Sequence, residues 1–324
     1  MINDQIKIPF VFWGSSRLSV IVLDELLKLN LKPNLIVTTP DKPQGRKLEI
    51  KPNIVKTWAI EHDVSVLSPL KLDKEFIESL KIDDWPLFIV ASYGKIIPNE
   101  IIELPKFKTL NIHPSLLPQY RGASPLPTAI LEDTKKTGVT IMQLDREMDH
   151  GPIIAQKEID LNDYFNKNGF NDWPTYEVFE EMMAKEGAKL LAEILPDWLA
   201  GKIIPNEQDH SKATYTKKIT KEDGLIDFNN NIMHELESTG KIATENAYEI
   251  FRKIQAYHEW PVAYFFIERK DPATQTNKKI RIKITEAEFE KTEKDSAGKL
   301  IIKKVIPEGK KEMSFESFKQ GYLK

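Results

Sequence analysis

The sequence contains no cysteine, which removes disulfides, thiolate metal sites and a cysteine nucleophile at once. Histidine and carboxylates are then the remaining metal ligands. No two histidines stand at the spacing that puts a ligand pair on one helix face, so no metal is expected. Also missing is any apolar run near the ~20 residues a membrane helix needs. The opening Met1-Ile2-Asn3-Asp4-Gln5-Ile6-Lys7 lacks the charged-then-apolar pattern of a secretion signal. A cytoplasmic protein without membrane association is the expectation. A dominant charge sign is absent as well, with 46 Lys and Arg against 49 Asp and Glu. The first glycine turn, Gly14-Ser15-Ser16, is no G-x-G-x-x-G fingerprint, which argues against a nicotinamide cofactor.

What is present suits an ordinary two-domain protein: 324 residues, 41% hydrophobic and 29% charged. Residues 7–14 read as a strand, the stretch from Ser19 to Leu29 as an amphipathic helix, and Asn34 to Thr39 as a second strand. That βαβ unit implies a parallel sheet with a right-handed crossover. Further helices are expected over Ile54 to His62, over Asp73 to Lys81 with Asp73 as N-cap, and over Pro125 to Glu132. Leu87 to Ala91 is a continuous apolar run fit for a central strand, and Gly138 to Gln143 and Pro152 to Ile159 read as strands. The stretch 162–174 is rich in Asn and Asp and reads as a loop. Thr175 to Ala200 is a long amphipathic pattern interrupted by Gly187 and Pro196, and Gly201 to Lys212 reads as a linker. The expected domains are 1–200, a Rossmann-like parallel-sheet α/β domain, and 213–324. In the latter, a helix over Asn246 to Tyr257 and runs at Val262 to Ile267, Lys279 to Ile284 and Lys299 to Ile306 suggest a small β-barrel.

The chemistry concentrates where Thr109-Leu110-Asn111-Ile112-His113 runs into Pro114. Side chains alternate along a strand, so Asn111 and His113 project together while Leu110 and Ile112 pack on the other face. An amide and an imidazole at a strand's carboxyl end can polarise a carbonyl and handle a proton. Asp149 stands before His150-Gly151, where the simpler reading is a turn-forming aspartate. In doubly wound sheets ligands collect beyond the carboxyl ends of strands, which places the turn Ser92-Tyr93-Gly94-Lys95-Ile96 beside this one. Charge adds one asymmetry. From Lys270 onward 14 Lys and Arg face 9 Asp and Glu, a balance that suits either a phosphate-bearing partner or a solvated lysine-rich surface.

The combination Asn111-Ile112-His113-Pro114-Ser115-Leu116-Leu117-Pro118, Tyr120-Arg121-Gly122 and the run from Gly138 through Asp145 and Asp149 to Gly151 resembles the 10-formyltetrahydrofolate-dependent formyltransferase family. Pro40 to Arg46, Ala91 to Pro98, Trp260-Pro261 and Gly309 to Ser314 extend the resemblance over nearly the whole chain. They favour the members that act on methionyl initiator tRNA. The resemblance implies a catalytic trio of Asn111, His113 and Asp149. It implies a folate site formed by Ser92, Tyr93, Gly94, Lys95, Ile96, Ser115, Leu116, Leu117, Pro118, Leu144, Asp145 and Glu147. It also implies an oligonucleotide-binding-like C-terminal barrel, with tRNA held by Lys42, Arg46, Lys47, Lys278, Lys279, Lys303, Lys304, Lys310 and Lys311. The co-substrate is then 10-formyltetrahydrofolate, the partner methionyl initiator tRNA, and the assembly a monomer. Gly14-Ser15-Ser16 departs from the family's usual Gly-Thr-Pro-Asp-Phe. A formyltransferase or hydrolase using a small amine, an amino-sugar or water as acceptor, and an RNA-binding protein with a vestigial catalytic domain, are the alternatives.

Overall fold

The computed structural model describes residues 8–44, 49–228, 230–244, 246–270, 276–291 and 298–323. Its contacts divide into two compact units. The first holds Met1–Pro125, Lys136–Ile159 and Glu180–Thr216; the second holds Leu126–Lys135, Asp160–Phe179 and Lys217–Lys324.

In the first unit seven strands form one sheet, in the order Ile153–Asp160, Lys136–Gln143, Thr109–His113, Leu87–Val90, Phe10–Trp13, Leu35–Val37, Ser65–Leu67. From Thr109–His113 through Ser65–Leu67 the pairing is parallel, whereas Lys136–Gln143 lies antiparallel to Thr109–His113. The sheet is thus a parallel core with an antiparallel extension, a common mixed form. The helix Arg17–Lys28 covers it with Leu18, Val22, Leu23 and Leu26, a spacing set by 3.6 residues per turn. Asp73 caps the helix Lys74–Lys81, accepting from the Phe76 N–H at 3.2 Å.

The Gly14-Ser15-Ser16 turn is built from serines. Ser16 and Ser19 form a reciprocal capping box, and the Ser19 hydroxyl donates to the Ala91 carbonyl at 2.6 Å. The Ser15 N–H donates to the Ser92 carbonyl at 3.1 Å. This ties the first strand-to-helix turn to the turn after Leu87–Val90, a positioning job that leaves the leading helical N–H groups occupied.

Three local readings change. Residues 40–52, whose three prolines, one glycine, four basic residues and lack of apolar periodicity read from sequence as a basic surface loop, include the strands Lys42–Gln44 and Glu49–Lys51, paired antiparallel as a hairpin. The supposed loop 162–174 opens with the helix Leu161–Lys167. Asp160 caps it, and Leu161 and Phe165, four apart, are both buried. The long helix Tyr176–Leu199 runs straight through Gly187 and Pro196. Gly187 marks a close approach: a Cβ there would lie 2.5 Å from Ile112 Cγ2, beside the strand that carries Asn111 and His113.

In the second unit five strands form a curled antiparallel sheet in which Tyr264–Lys270, Asn277–Glu290 and Lys299–Pro307 are the long members. Register shifts around Glu286 bend the central strand, as bulges do. The helices Asn230–Thr239, Ala247–Ala256 and Phe315–Tyr322 belong to the same unit. Trp173 is buried against Phe165 and Phe179, and its Nε1–H donates to Asp133 at 2.8 Å. The Tyr248 hydroxyl lies 2.8 Å from an Asp172 oxygen, so the 162–174 segment is anchored to the helix Ala247–Ala256. Burial first, then Asp172, pushes the Tyr248 hydroxyl's pKa up.

Candidate active site

Asn111 and His113 lie at the carboxyl end of the strand Thr109–His113, on the face shared with Phe88 and Val90, and both are buried. Leu110 and Ile112 occupy the opposite face, as alternation requires. The loop that follows is stapled by Thr140, which stands directly across from His113. The Thr140 hydroxyl donates to the Ser115 carbonyl at 2.6 Å and accepts from the Leu117 N–H at 3.2 Å. Gln156 Nε2 donates to the Leu117 carbonyl at 2.7 Å and to Thr140 Oγ1 at 2.9 Å.

His113 is held from both sides. Its Nε2 sits 3.1 Å from the Tyr120 carbonyl, a position only an N–H donor can satisfy. Its Nδ1 faces Asp149 Oδ1 at 3.6 Å, with side-chain exposures of 5% and 14%. That separation is beyond a hydrogen bond and leaves Nδ1 facing the carboxylate with no group among the described residues bonded between them. The other Asp149 oxygen accepts from the Gly122 N–H at 2.7 Å. Asp149 has φ +51°, the left-handed region that Asp tolerates better than most residues. The Asn111 amide makes no hydrogen bond among the described residues, so it is the ready donor of the three. Together these groups offer one unengaged amide, one imidazole with Nδ1 turned to a carboxylate, and no nucleophile, a set suited to direct acyl transfer.

The residues expected around the folate fall into two groups. Ser92, Gly94, Lys95, Ile96 and Glu147 are exposed, and Leu116, Pro118, Leu144 and Asp145 half-buried. Ser92 and Gly94 both have positive φ, which shapes the turn next to Asn111. Lys95 donates to the carbonyls of Pro69 and Leu70. Ser115, Leu117 and Tyr93 are buried, with the Ser115 hydroxyl donating to the Gln119 carbonyl at 2.7 Å, so their side chains are packed inside rather than offered to a ligand from solvent. Tyr93 packs edge-on against Trp13, and burial pushes its hydroxyl up to about 12. Asp145 accepts from the Glu147 N–H and lies 2.7 Å from His150 Nδ1.

Of the expected tRNA contacts, Lys42 is exposed on its hairpin, and Arg46 and Lys47 lie outside the described residues. Lys278, Lys279, Lys310 and Lys311 are exposed and make no ion pair among the described residues. Lys303 and Lys304 pair with Glu288 at 2.7 Å and Glu286 at 2.6 Å. Those hydrogen bonds raise both lysine pKa values.

Sequence reasoning did not single out Thr140, Gln156 or Gln208, and it gave the Arg121 side chain no role. Their partners lie 16 to 94 residues away, and only the folded chain brings them together. Among the described residues no group of three or more histidines and carboxylates is placed to hold a metal ion.

The formyl transferase family profile matches residues 7–167. Methionyl-tRNA formyltransferase of Bacillus subtilis is 33% identical over 326 residues, covering 96% of this chain and 94% of its own. The corresponding protein of Chloroflexus aggregans is 40% identical over 257 residues, covering 79% and 75%. Among solved structures, methionyl-tRNA formyltransferase from Clostridium thermocellum superposes with a TM-score of 0.54 at 16% identity, covering 93% and 98%. An N-formyltransferase from Helicobacter canadensis, in complex with folinic acid and dTDP-3-aminofucose, gives 0.56 at 18% identity, covering 91% and 99%. At these identities the structural likeness speaks for the fold alone.

Proposed function

The chain belongs to the formyl transferase family, and on that premise we propose that it transfers the formyl group of 10-formyltetrahydrofolate to the amine of methionyl initiator tRNA, for translation initiation. The observation that carries the reading is the unengaged Asn111 amide beside a His113–Asp149 pair at the carboxyl end of a central strand. The neutral amine attacks the formyl carbon. Asn111 donates to the oxyanion that develops, where a fixed donor in a dry site acts most strongly. His113, with Nε2 held by Tyr120, keeps Nδ1 for the reaction; the proton leaving the amine passes there, directly or through water, and meets the Asp149 carboxylate. The bond from the formyl carbon to the folate nitrogen then breaks, and that nitrogen takes up a proton. The exposed Ser92 to Ile96 turn and the half-buried Leu116, Pro118 and Leu144 wall the folate site from neighbouring strand ends.

The tRNA reading draws support from the second unit. On the hairpin of Tyr264–Lys270 and Asn277–Glu290, Tyr264 pairs with Lys283, Phe266 with Arg281 and Glu268 with Lys279. Lys279 Nζ lies 4.5 Å from the centroid of the Phe266 ring, and Arg281 5.7 Å from that of Tyr264. Cations interleaved with aromatic faces suit a nucleic acid, whose phosphates and bases both find partners. A monomer acting in the cytoplasm completes the proposal.

The test supplies labelled 10-formyltetrahydrofolate with methionyl initiator tRNA, methionyl elongator tRNA, glycinamide ribonucleotide, an amino-sugar nucleotide or water. Formyl is expected on the initiator tRNA ahead of the others. Transfer to a small amine or water at a higher kcat/KM would overturn the acceptor.

A further inference from the structure

Behind the trio stands a fully matched amide. Gln208 is 4% exposed, in a stretch whose sequence reads as linker. Its Oε1 accepts from Arg121 Nε at 3.2 Å and Nη2 at 2.7 Å. Its Nε2 donates to the carbonyls of Asp149 at 3.0 Å and Gly151 at 2.7 Å. Two acceptances and two donations use the amide completely and fix which way it faces.

Arg121 is 2% exposed. Its remaining side-chain partners are His210, with Nδ1 at 2.8 Å, and Tyr215, with the hydroxyl at 3.3 Å and the ring centroid 5.9 Å from the guanidinium carbon. Among the described residues no carboxylate stands within ion-pair distance of it. A guanidinium buried among neutral partners is costly, so stability alone is a poor account of this cluster. Its connections offer a better one. The backbone on either side of Arg121 grips the reacting pair, Tyr120 through its carbonyl to His113 and Gly122 through its N–H to Asp149. The Arg121 side chain reaches the same pair from behind, through Gln208 to the Asp149 and Gly151 carbonyls. Asp149 needs such a hold, because its left-handed backbone conformation is disfavoured unless the surroundings impose it.

We propose that Gln208, aimed by Arg121, is a positioning residue that sets the attitude of Asp149 toward His113, resting on the reading of that pair as the proton-handling part of formyl transfer. Gln208 bonds the backbone carbonyls of Asp149 and Gly151 and no reacting side chain, and it acts by holding the loop between them.

The experiment uses the full chain as wild type, Gln208→Glu and Gln208→Met. Glu keeps an acceptor for Arg121 but turns a carboxylate oxygen toward two carbonyls. Met keeps the bulk and loses every bond. Thermal unfolding is recorded first, and kcat and KM are then measured below each variant's midpoint. In parallel, the ring signals of His113, identified by their loss in His113→Ala, are followed by NMR. The expected result is a kcat about 10- to 100-fold lower in both variants, the scale of a small misplacement of catalytic groups. KM for the formyl donor should stay within about threefold, and the His113 signals should shift although Gln208 does not touch that ring. Variants of lowered stability whose folded fraction turns over at the wild-type kcat, with His113 signals unmoved, would overturn the proposal. Shifted ring signals in a protein whose wild type transfers no formyl would keep the positioning role and remove the formyl reading instead.

Discussion

At the scale of single residues, strand alternation puts Asn111 and His113 on one face whatever the rest of the chain does, whereas Asp149, locally a turn-forming aspartate, joins them only through the family resemblance. Gln208 could not. Its meaning comes from Arg121, 87 positions earlier, and from the Asp149 and Gly151 carbonyls, and nothing local distinguishes it from a solvated linker residue. Tyr93 is a similar case. A tyrosine in a turn suggests a ligand contact, yet its hydroxyl is buried without a hydrogen-bond partner among the described residues. An unmatched buried hydroxyl costs roughly 1–3 kcal/mol. Tyr93→Phe is therefore expected to leave the protein as stable or to raise its stability by about 1 kcal/mol, checked by denaturant unfolding. A clear loss would mean the hydroxyl has a partner.

At the scale of elements, apolar periodicity located the capped helices and the strands Leu35–Val37 and Leu87–Val90 to within a residue or two, set the start of Phe10–Trp13 three residues early and missed the short edge strand Ser65–Leu67. It failed where composition pointed one way and spacing another. Asn and Asp between 162 and 174 masked a helix whose real signals are the Asp160 cap and the Leu161 and Phe165 pair. Gly187 looked like a break and is instead the spot where the helix Tyr176–Leu199 comes up against Ile112. The start of that helix also carries a titratable joint. His258 Nδ1 lies 2.8 Å from Glu177, and its Nε2 lies 3.1 Å from the Thr285 carbonyl. The hydrogen bond with Glu177 holds the His258 pKa above 6.5. Burial works against Glu177, but the His258 bond and its other hydrogen bonds outweigh it and leave its pKa below 4.5. A raised histidine stabilises the fold fully below its unfolded pKa and loses that contribution as pH climbs through the folded one. The lowered carboxylate contributes above its unfolded pKa and loses it as pH falls. The pair is thus strongest between about pH 4.5 and 6.5. The gap in unfolding midpoint between wild type and His258→Gln should be widest near pH 6 and narrow by about pH 9; a gap that does not change with pH would contradict the account.

At the scale of the whole molecule, net charge conceals what matters for a polyanion. The six lysines after residue 270 expected to hold tRNA divide into Lys303 and Lys304, already matched by glutamates, and Lys278, Lys279, Lys310 and Lys311, which have no ion pair among the described residues. The sequence could not make that division, since it depends on the register between the strands Asn277–Glu290 and Lys299–Pro307. A lysine that neutralises a phosphate releases counterions, changing the log affinity against log salt slope by ~0.7 to 0.9. The Lys279→Ala/Lys310→Ala pair should therefore flatten the slope for tRNA by about one to two units. The Lys303→Ala/Lys304→Ala pair should change it less, because these ammonium groups are already matched by Glu288 and Glu286 and neutralise fewer phosphates. Equal slopes for both pairs and the wild type would place the tRNA elsewhere.

The central claim, that formyl transfer occurs at the end of the strand Thr109–His113, is tested most directly by single-turnover formylation of methionyl initiator tRNA. Wild type, Asn111→Ala and Asp149→Asn are compared with folate and tRNA both saturating. Asn adopts the left-handed backbone at position 149 at least as readily as Asp does, so that variant removes the charge without breaking the turn. Each variant is expected to bind both substrates, keep the wild-type unfolding midpoint and lose turnover by ~10²-fold or more. Either variant formylating at close to the wild-type rate would move the chemistry away from this site.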